Sequence, residues 1–109
     1  MPRRMSVLSR DDFKCACCGF GGAAALGILA VHHKIPVHCK GKDSLDNLIT
    51  LCLNHHLIIH ICERQKGKLQ MSKEAFDKLA AHEQVALKKC LAYARIAVEA
   101  DKRLGLTKE

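Results

Sequence analysis

Aromatic side chains are scarce in this chain: they make up 4% of its 109 residues, with no tryptophan and one tyrosine. Without large rings, the hydrophobic core has to be assembled from Leu, Ile, Val and Ala. No run of about 18 apolar residues exists, so no segment reads as a membrane-spanning helix. The small apolar stretch from Gly21 to Val31 is too short and too rich in Gly and Ala for that purpose. No signal-peptide pattern is found at the N-terminus. There is no internal repeat, no low-complexity segment, and no block of Lys and Arg long enough to read as a disordered tail. Acidic residues are also in deficit, and the formal net charge is +7. That excess favours an anionic partner, nucleic acid first.

A chain of this length is one domain, with room for a helical appendage. It can bury a modest core, and a structural metal would add stability. Seven cysteines form an odd number. Together with the missing signal pattern, they read as a reducing, cytoplasmic setting in which cysteine pairs hold metal instead of disulfides.

Residues 1–14 are basic and polar and suggest a short turn or helix. Cys15-Ala16-Cys17-Cys18-Gly19 resembles a metal knuckle, with Gly19 allowing the tight turn after the second ligand. Phe20 to Gly27 is a connector. Ile28-Leu29-Ala30-Val31 is β-prone and delivers His32 and His33 at its end. Pro36 blocks continuation in a central strand. His38 to Asp46 reads as a loop containing Gly41, and Leu48-Ile49-Thr50-Leu51 as a second strand. A helix is expected from near Asn54 to about Arg64, with Leu57, Ile58 and Ile61 packing on the sheet and Gly67 ending the segment. Beyond it the chain is helical, as one bent helix or two consecutive ones. Ser72 is the expected N-cap and Glu74 suits the first turn. Phe76, Leu79 and Ala80 make one apolar stripe, and Leu87, Cys90, Leu91, Ala94 and Val98 make another. Lys102, Arg103 and Gly105 suit a helix end. The boundary is drawn at residue 68, giving a core at 1–68 and a helical extension packed on it at 69–109.

Two groups of residues carry chemistry. Cys15-x-x-Cys18 and Cys52-x-x-His55 are two knuckles that can close a tetrahedral zinc site. The bland alternative is buried cysteines acting as small hydrophobes. Cys17 could compete with Cys15 or Cys18 at poorer spacing, and Cys39, Cys62 and Cys90 are expected to be inert. The second group is His32, His33, Asn47, His56 and His60. Neighbouring strand residues point to opposite sides, so one of His32 and His33 can ligate a metal while the other faces a substrate. His56 and His60, four apart on a helix, form a two-ligand clamp. A histidine can take a proton from water near neutral pH, and a divalent ion can polarise a phosphate. Any one of these histidines could instead be purely structural. A zinc frame alone does not need five such residues.

Residues 10–60 closely resemble the HNH endonuclease family. The resemblance rests on Arg10-Asp11-Asp12-Phe13-Lys14-Cys15, Cys18-Gly19, Val31-His32-His33-Lys34-Ile35-Pro36, Leu45-Asp46-Asn47-Leu48-Ile49-Thr50-Leu51-Cys52, His55-His56 and Ile59-His60. It implies an α+β fold with a ββα-metal (His-Me finger) core, a structural zinc site and a C-terminal helix or helices. It implies catalysis by His33 as general base, with Asn47 holding the loop and orienting His33. It implies a catalytic divalent metal on His32 and His56, with His60 as a further ligand or a phosphate contact. The implied reaction is hydrolysis of a DNA phosphodiester, the DNA taken as double-stranded, leaving 5′-phosphate and 3′-hydroxyl ends. The structural zinc would sit on Cys15, Cys18, Cys52 and His55. Where this chain has His55, zinc-bearing members usually have cysteine, so the ligand set becomes Cys3His. The adjacent His55-His56 pair leaves the register open. Spacing favours His55 on zinc and His56 beside His60, because residues one step apart on a helix diverge by about 100°.

The active-site metal is open among Mg²⁺, Mn²⁺, Ni²⁺ and Zn²⁺, with imidazoles favouring the later transition ions. The resemblance also implies a bacterial or phage-encoded intracellular protein without a membrane partner. A homodimer would ease double-strand cutting. The competing readings are a non-catalytic, zinc-stabilised nucleic-acid-binding module and a zinc-dependent protein-interaction domain.

Overall fold

In the computed structural model, which describes residues 3–22 and 27–105, a two-stranded antiparallel sheet is enclosed by helices. Residues 1–2, the middle of the Gly/Ala connector at 23–26, and 106–109 at the end of the expected extension lie outside the described residues. The order is α1 (Arg3–Arg10), β1 (Leu29–His33), β2 (Leu48–Cys52), α2 (Leu53–Arg64), α3 (Lys73–Asp77) and α4 (Ala81–Arg103). Between the strands, short 3₁₀ turns stand at Val37–Cys39 and Leu45–Asn47. This is the α+β, ββα arrangement that the residue pattern predicts. Among the described residues no helix is long and apolar enough to cross a membrane.

The strand register pairs Leu29 with Cys52, Val31 with Thr50, and His32 with Ile49. β2 is buried along its whole length, so it reads as a continuous apolar run instead of an alternating one. α1 ties its start in place. The Arg10 guanidinium donates to the carbonyls of Leu45 and Leu48, and Asp11 accepts from the Thr50 amide at 3.0 Å. These charge-assisted bonds give the Arg10-Asp11 pair a structural task. Asp11 sits below the ordinary carboxylate range because hydrogen bonds from Arg10 and Thr50 outweigh the opposing and largest single effect, burial.

α2 begins directly after β2, and the Cys52 side chain accepts from the His55 amide as its N-cap. The packed face of α2 differs from the expected one. Leu57 and Ile61 are exposed, whereas Ile59 and Cys62 are buried. Helical geometry gives the reason. At about 100° per residue, Ile59 falls between the directions of His55 and His56. Both of those histidines face inward to separate clusters, so the core-facing arc must run through Ile59 and Cys62. Leu57 and Ile61 fall on the far side.

The C-terminal segment resolves into two consecutive helices. Ser72 caps α3 by accepting from the Ala75 amide at 3.1 Å. α4 packs on α2, and its buried residues are Ala86, Cys90, Ala94, Ala97 and Ala100. Cysteine therefore takes a larger share of the core than composition alone suggests: Cys17, Cys39, Cys62 and Cys90 are all buried. Cys90 donates to the Cys17 sulfur at 3.6 Å.

The inter-strand loop is close-packed on itself at Gly41, whose amide donates to the Pro36 carbonyl at 2.9 Å. A Cβ at Gly41 would stand 1.7 Å from the Ile35 carbonyl oxygen. Backbone has to move to admit a methyl group there. Gly41→Ala is expected to cost about 3 kcal/mol, the upper end for overpacking, read as a lowered urea midpoint.

Candidate metal and catalytic site

The first cluster lies at the junction of the knuckle and α2. Cys15, Cys18, Cys52 and His55 bring one ligand atom each within 4.8 Å of one another. Cys18 and Cys52 sulfurs are 3.9 Å apart, and Nδ1 of His55 is 4.0 Å from the Cys15 sulfur. Four ligands about 2.3 Å from one ion would stand roughly 3.7 Å apart, so the spacing suits tetrahedral zinc. Amides of Cys17, Phe20 and His55 each donate to a sulfur at 3.4 Å, on Cys15, Cys18 and Cys52 respectively. Gly19, at φ +77°, allows the turn that aims these donors.

Hydrogen bonding from Cys17 pulls the Cys15 thiol down to about 3. Burial pushes Cys18 up to about 12 and also raises Cys52. A bound cation inverts that local preference, because coordination deprotonates a thiol outright. The cluster fits a zinc ion by donor type, spacing and sulfur hydrogen bonding.

The second cluster joins β1 to α2. Nε2 of His56 and Nε2 of His60 are 3.0 Å apart, and the His32 ring stands edge-on to both, with centroids at 5.4 and 5.6 Å. His32 is 4% exposed, and its Nε2 is buried with no hydrogen-bond partner. A buried, unsatisfied nitrogen is costly unless something coordinates it. Three imidazoles within 4.8 Å, one of them orphaned, fit a divalent transition ion. Burial first, and then the neighbouring histidines, depress His32 to about 4, and His56 is lowered for the same reasons. Both are therefore held neutral, the form that binds metal.

His33, the next residue on β1, leaves the three-imidazole cluster. Its Nε2 meets Asp43 Oδ1 at 2.6 Å. His32, His33, His38, His56, His60 and Glu63 help line one open groove of about 320 Å³. The Asn47 side chain accepts from the Ile35 amide at 2.9 Å. It donates to the carbonyls of Ile35 at 3.1 Å and Lys42 at 2.9 Å. Its own carbonyl accepts from the Lys34 amide at 2.8 Å. Asn47 therefore fixes both limbs of the loop that follows His33, and the ring of His33 itself is met by Asp43.

Two partners escaped sequence reasoning. Asp43 is ten residues from His33, in an irregular loop without periodicity. Glu63 accepts from or faces Nδ1 of His60 at 2.8 Å, leaving Nε2 of that ring toward His56. Its i, i+3 spacing from His60 was the available signal. The His55-His56 register separates cleanly in space: His55 stands with the thiols and His56 with His32 and His60.

Two measurements test this geometry. Metal analysis of Cys18→Ser should show one zinc fewer per chain and loss of helical circular dichroism, because zinc binding and folding are coupled. His56→Ala should keep the zinc at the thiol cluster. His32 is depressed from 6.5 to about 4, so its neutral form stabilises the fold fully above about 6.5, and that contribution is lost as pH falls toward about 4. Histidine resonances followed by NMR, with zinc on the thiol cluster only, should give His32 a midpoint near 4.

Residues 15–61 match the family model described as HNH endonuclease. A similar curated protein is the type IV methyl-directed restriction enzyme EcoKMcrA of Escherichia coli strain K12. It is 32% identical over 69 residues, covering 60% of this chain and 25% of that protein. The chain thus spans about a quarter of the length of this relative. No solved structure gives a significant match.

Proposed function

We propose that this protein, whose residues 15–61 match the HNH endonuclease family model, is a metal-dependent DNA endonuclease that hydrolyses phosphodiesters with His33 as general base. The observation that carries the reading is the juxtaposition in one groove of three convergent imidazoles, one with an orphaned nitrogen, and a histidine held by a carboxylate. The chain's charge of +7 supports a polyanionic substrate, double-stranded DNA in this reading. Lys34, Lys40 and Lys42 line an adjoining groove with Asn47, on the loop that also carries Asp43.

In this reading His32, His56 and His60 hold the catalytic ion, and Cys15, Cys18, Cys52 and His55 hold a structural zinc. A divalent ion held there would supply polarisation of the scissile phosphate and stabilisation of the leaving oxygen. The remaining work falls to side chains. With Nε2–H of His33 donated to Asp43, Nδ1 is the ring nitrogen able to accept a proton. It takes that proton from water as the water oxygen bonds to phosphorus. The bond from phosphorus to the 3′ oxygen breaks, and that oxygen is protonated, giving 5′-phosphate and 3′-hydroxyl ends. Asp43 holds the ring and stabilises the imidazolium that forms. Asn47 keeps the loop closed so that this geometry is set before substrate arrives. Glu63 orients His60 through Nδ1, the usual way a ligating histidine is aimed. The core at 1–68 carries the chemistry, and the extension at 69–109 supports α2 from behind. The setting is intracellular.

The test is incubation of the purified protein and His33→Ala with supercoiled plasmid, in Mg²⁺, Mn²⁺ or Ni²⁺ and in EDTA. The parent should nick in metal and not in EDTA. Folded, zinc-loaded His33→Ala should lose about 10²-fold or more of the rate. Salt-dependent plasmid binding without cleavage by the parent in every metal would favour the non-catalytic binding module. Methylated plasmid is the informative second substrate, given the description of the Escherichia coli relative.

A further inference from the structure

A further cluster of chemically competent side chains, at the edge of the histidine groove through His38, joins the inter-strand loop to the end of α4. His38 and Cys39 lie on the Val37–Cys39 turn, and Asp101 lies in the last turns of α4. The Cys39 thiol donates to Asp101 Oδ1 at 3.4 Å, and Nε2 of His38 is 3.4 Å from the same oxygen. The three ligand atoms fall within 4.8 Å of one another. Cys39 is 4% exposed, so its sulfur is fixed by packing, while His38 is exposed.

Asp101 places a half-buried carboxylate near a helix C-terminus, where unpaired carbonyls already concentrate negative partial charge. Glu63, with a buried Oε2 that has no hydrogen-bond partner, adds a second carboxylate within electrostatic range of the Cys39 sulfur. One sulfur, one imidazole nitrogen and one carboxylate oxygen form a borderline-soft donor set, suited to Zn²⁺ or Co²⁺ and poorly suited to Mg²⁺.

We propose that His38, Cys39 and Asp101 form a further transition-metal site that clamps the inter-strand loop to the C-terminal helix. Three protein ligands leave a fourth position for water. Binding displaces the thiol proton now shared with Asp101: Cys39–SH and M²⁺ give Cys39–S–M⁺ and H⁺. Its structural effect would be to fix the loop that follows His33, and that bears Asp43 and Asn47, against α4.

The experiment is metal analysis of zinc-loaded, dialysed full-length protein beside Cys39→Ala and Asp101→Asn, with Co²⁺ spectra of each. Asp101→Asn is the discriminating variant, because Asp101 is not among the residues lining the histidine groove and the change preserves shape. Each variant should bind one ion fewer per chain than the parent, with the thiolate–cobalt absorption of the Cys15, Cys18, Cys52 and His55 cluster retained. The parent should also release one more proton per chain on loading than Cys39→Ala does. Equal metal content in the parent and a folded Asp101→Asn would overturn the proposal. So would an extra ion that disappears in His60→Ala and survives in Asp101→Asn, because that ion would belong to the histidine groove.

Discussion

The rotation of α2 about its own axis is the constraint on which the site depends. One short helix serves two clusters at once. His55 turns toward the three thiols and His56 and His60 turn toward His32, while Ile59 points between them into the core. A rotation of a few tens of degrees would break both clusters together. The N-cap at Cys52 fixes the start of the helix, and α4 presses on its inner face. The zinc-type cluster and the histidine cluster are thus two outputs of one orientation, and their cooperation needs no contact between them.

The inter-strand loop is the second rigid part. Arg10 reaches across from α1 to hold the carbonyls on either side of Asn47, and Asn47 in turn spans the loop from Ile35 to Lys42. Every one of these bonds engages backbone groups, so the loop's shape is set by polar satisfaction more than by apolar burial. That suits a loop whose exposed surface carries lysines and whose task is to present Asp43 to His33.

Much of this was legible in the sequence because the chemistry is written at fixed spacings. Two Cys/His knuckles, a histidine pair at a strand end and an i, i+4 histidine pair each follow from local geometry. So do the two strands, the start of α2 and the Ser72 cap. The misses share a cause. Leu57 and Ile61 look core-facing by hydrophobicity, but His55, His56 and Ile59 on the same helix took the inward arc. Asp43 meets His33 through an irregular loop, and Arg10 meets Leu45 and Leu48 across the fold. Neither contact has a period to read. The C-terminal segment was legible as one bent helix or two consecutive ones, and the structure has two, with the break at residues 78–80.

The seam between α2 and α4 carries a consequence of its own. On the α4 side it is lined by alanine and cysteine, the smallest side chains that still exclude water. Such a surface has little slack for larger neighbours, and growth at Ala94, fully buried in the core, would strain the packing of α4 against the helix that carries two of the three imidazoles. Sequence drift in the C-terminal helix should therefore be lopsided: free on the outer face with Lys88, Lys89 and Glu99, and filtered by size along the inner one. A segment without a role in the chemistry would still be policed by it.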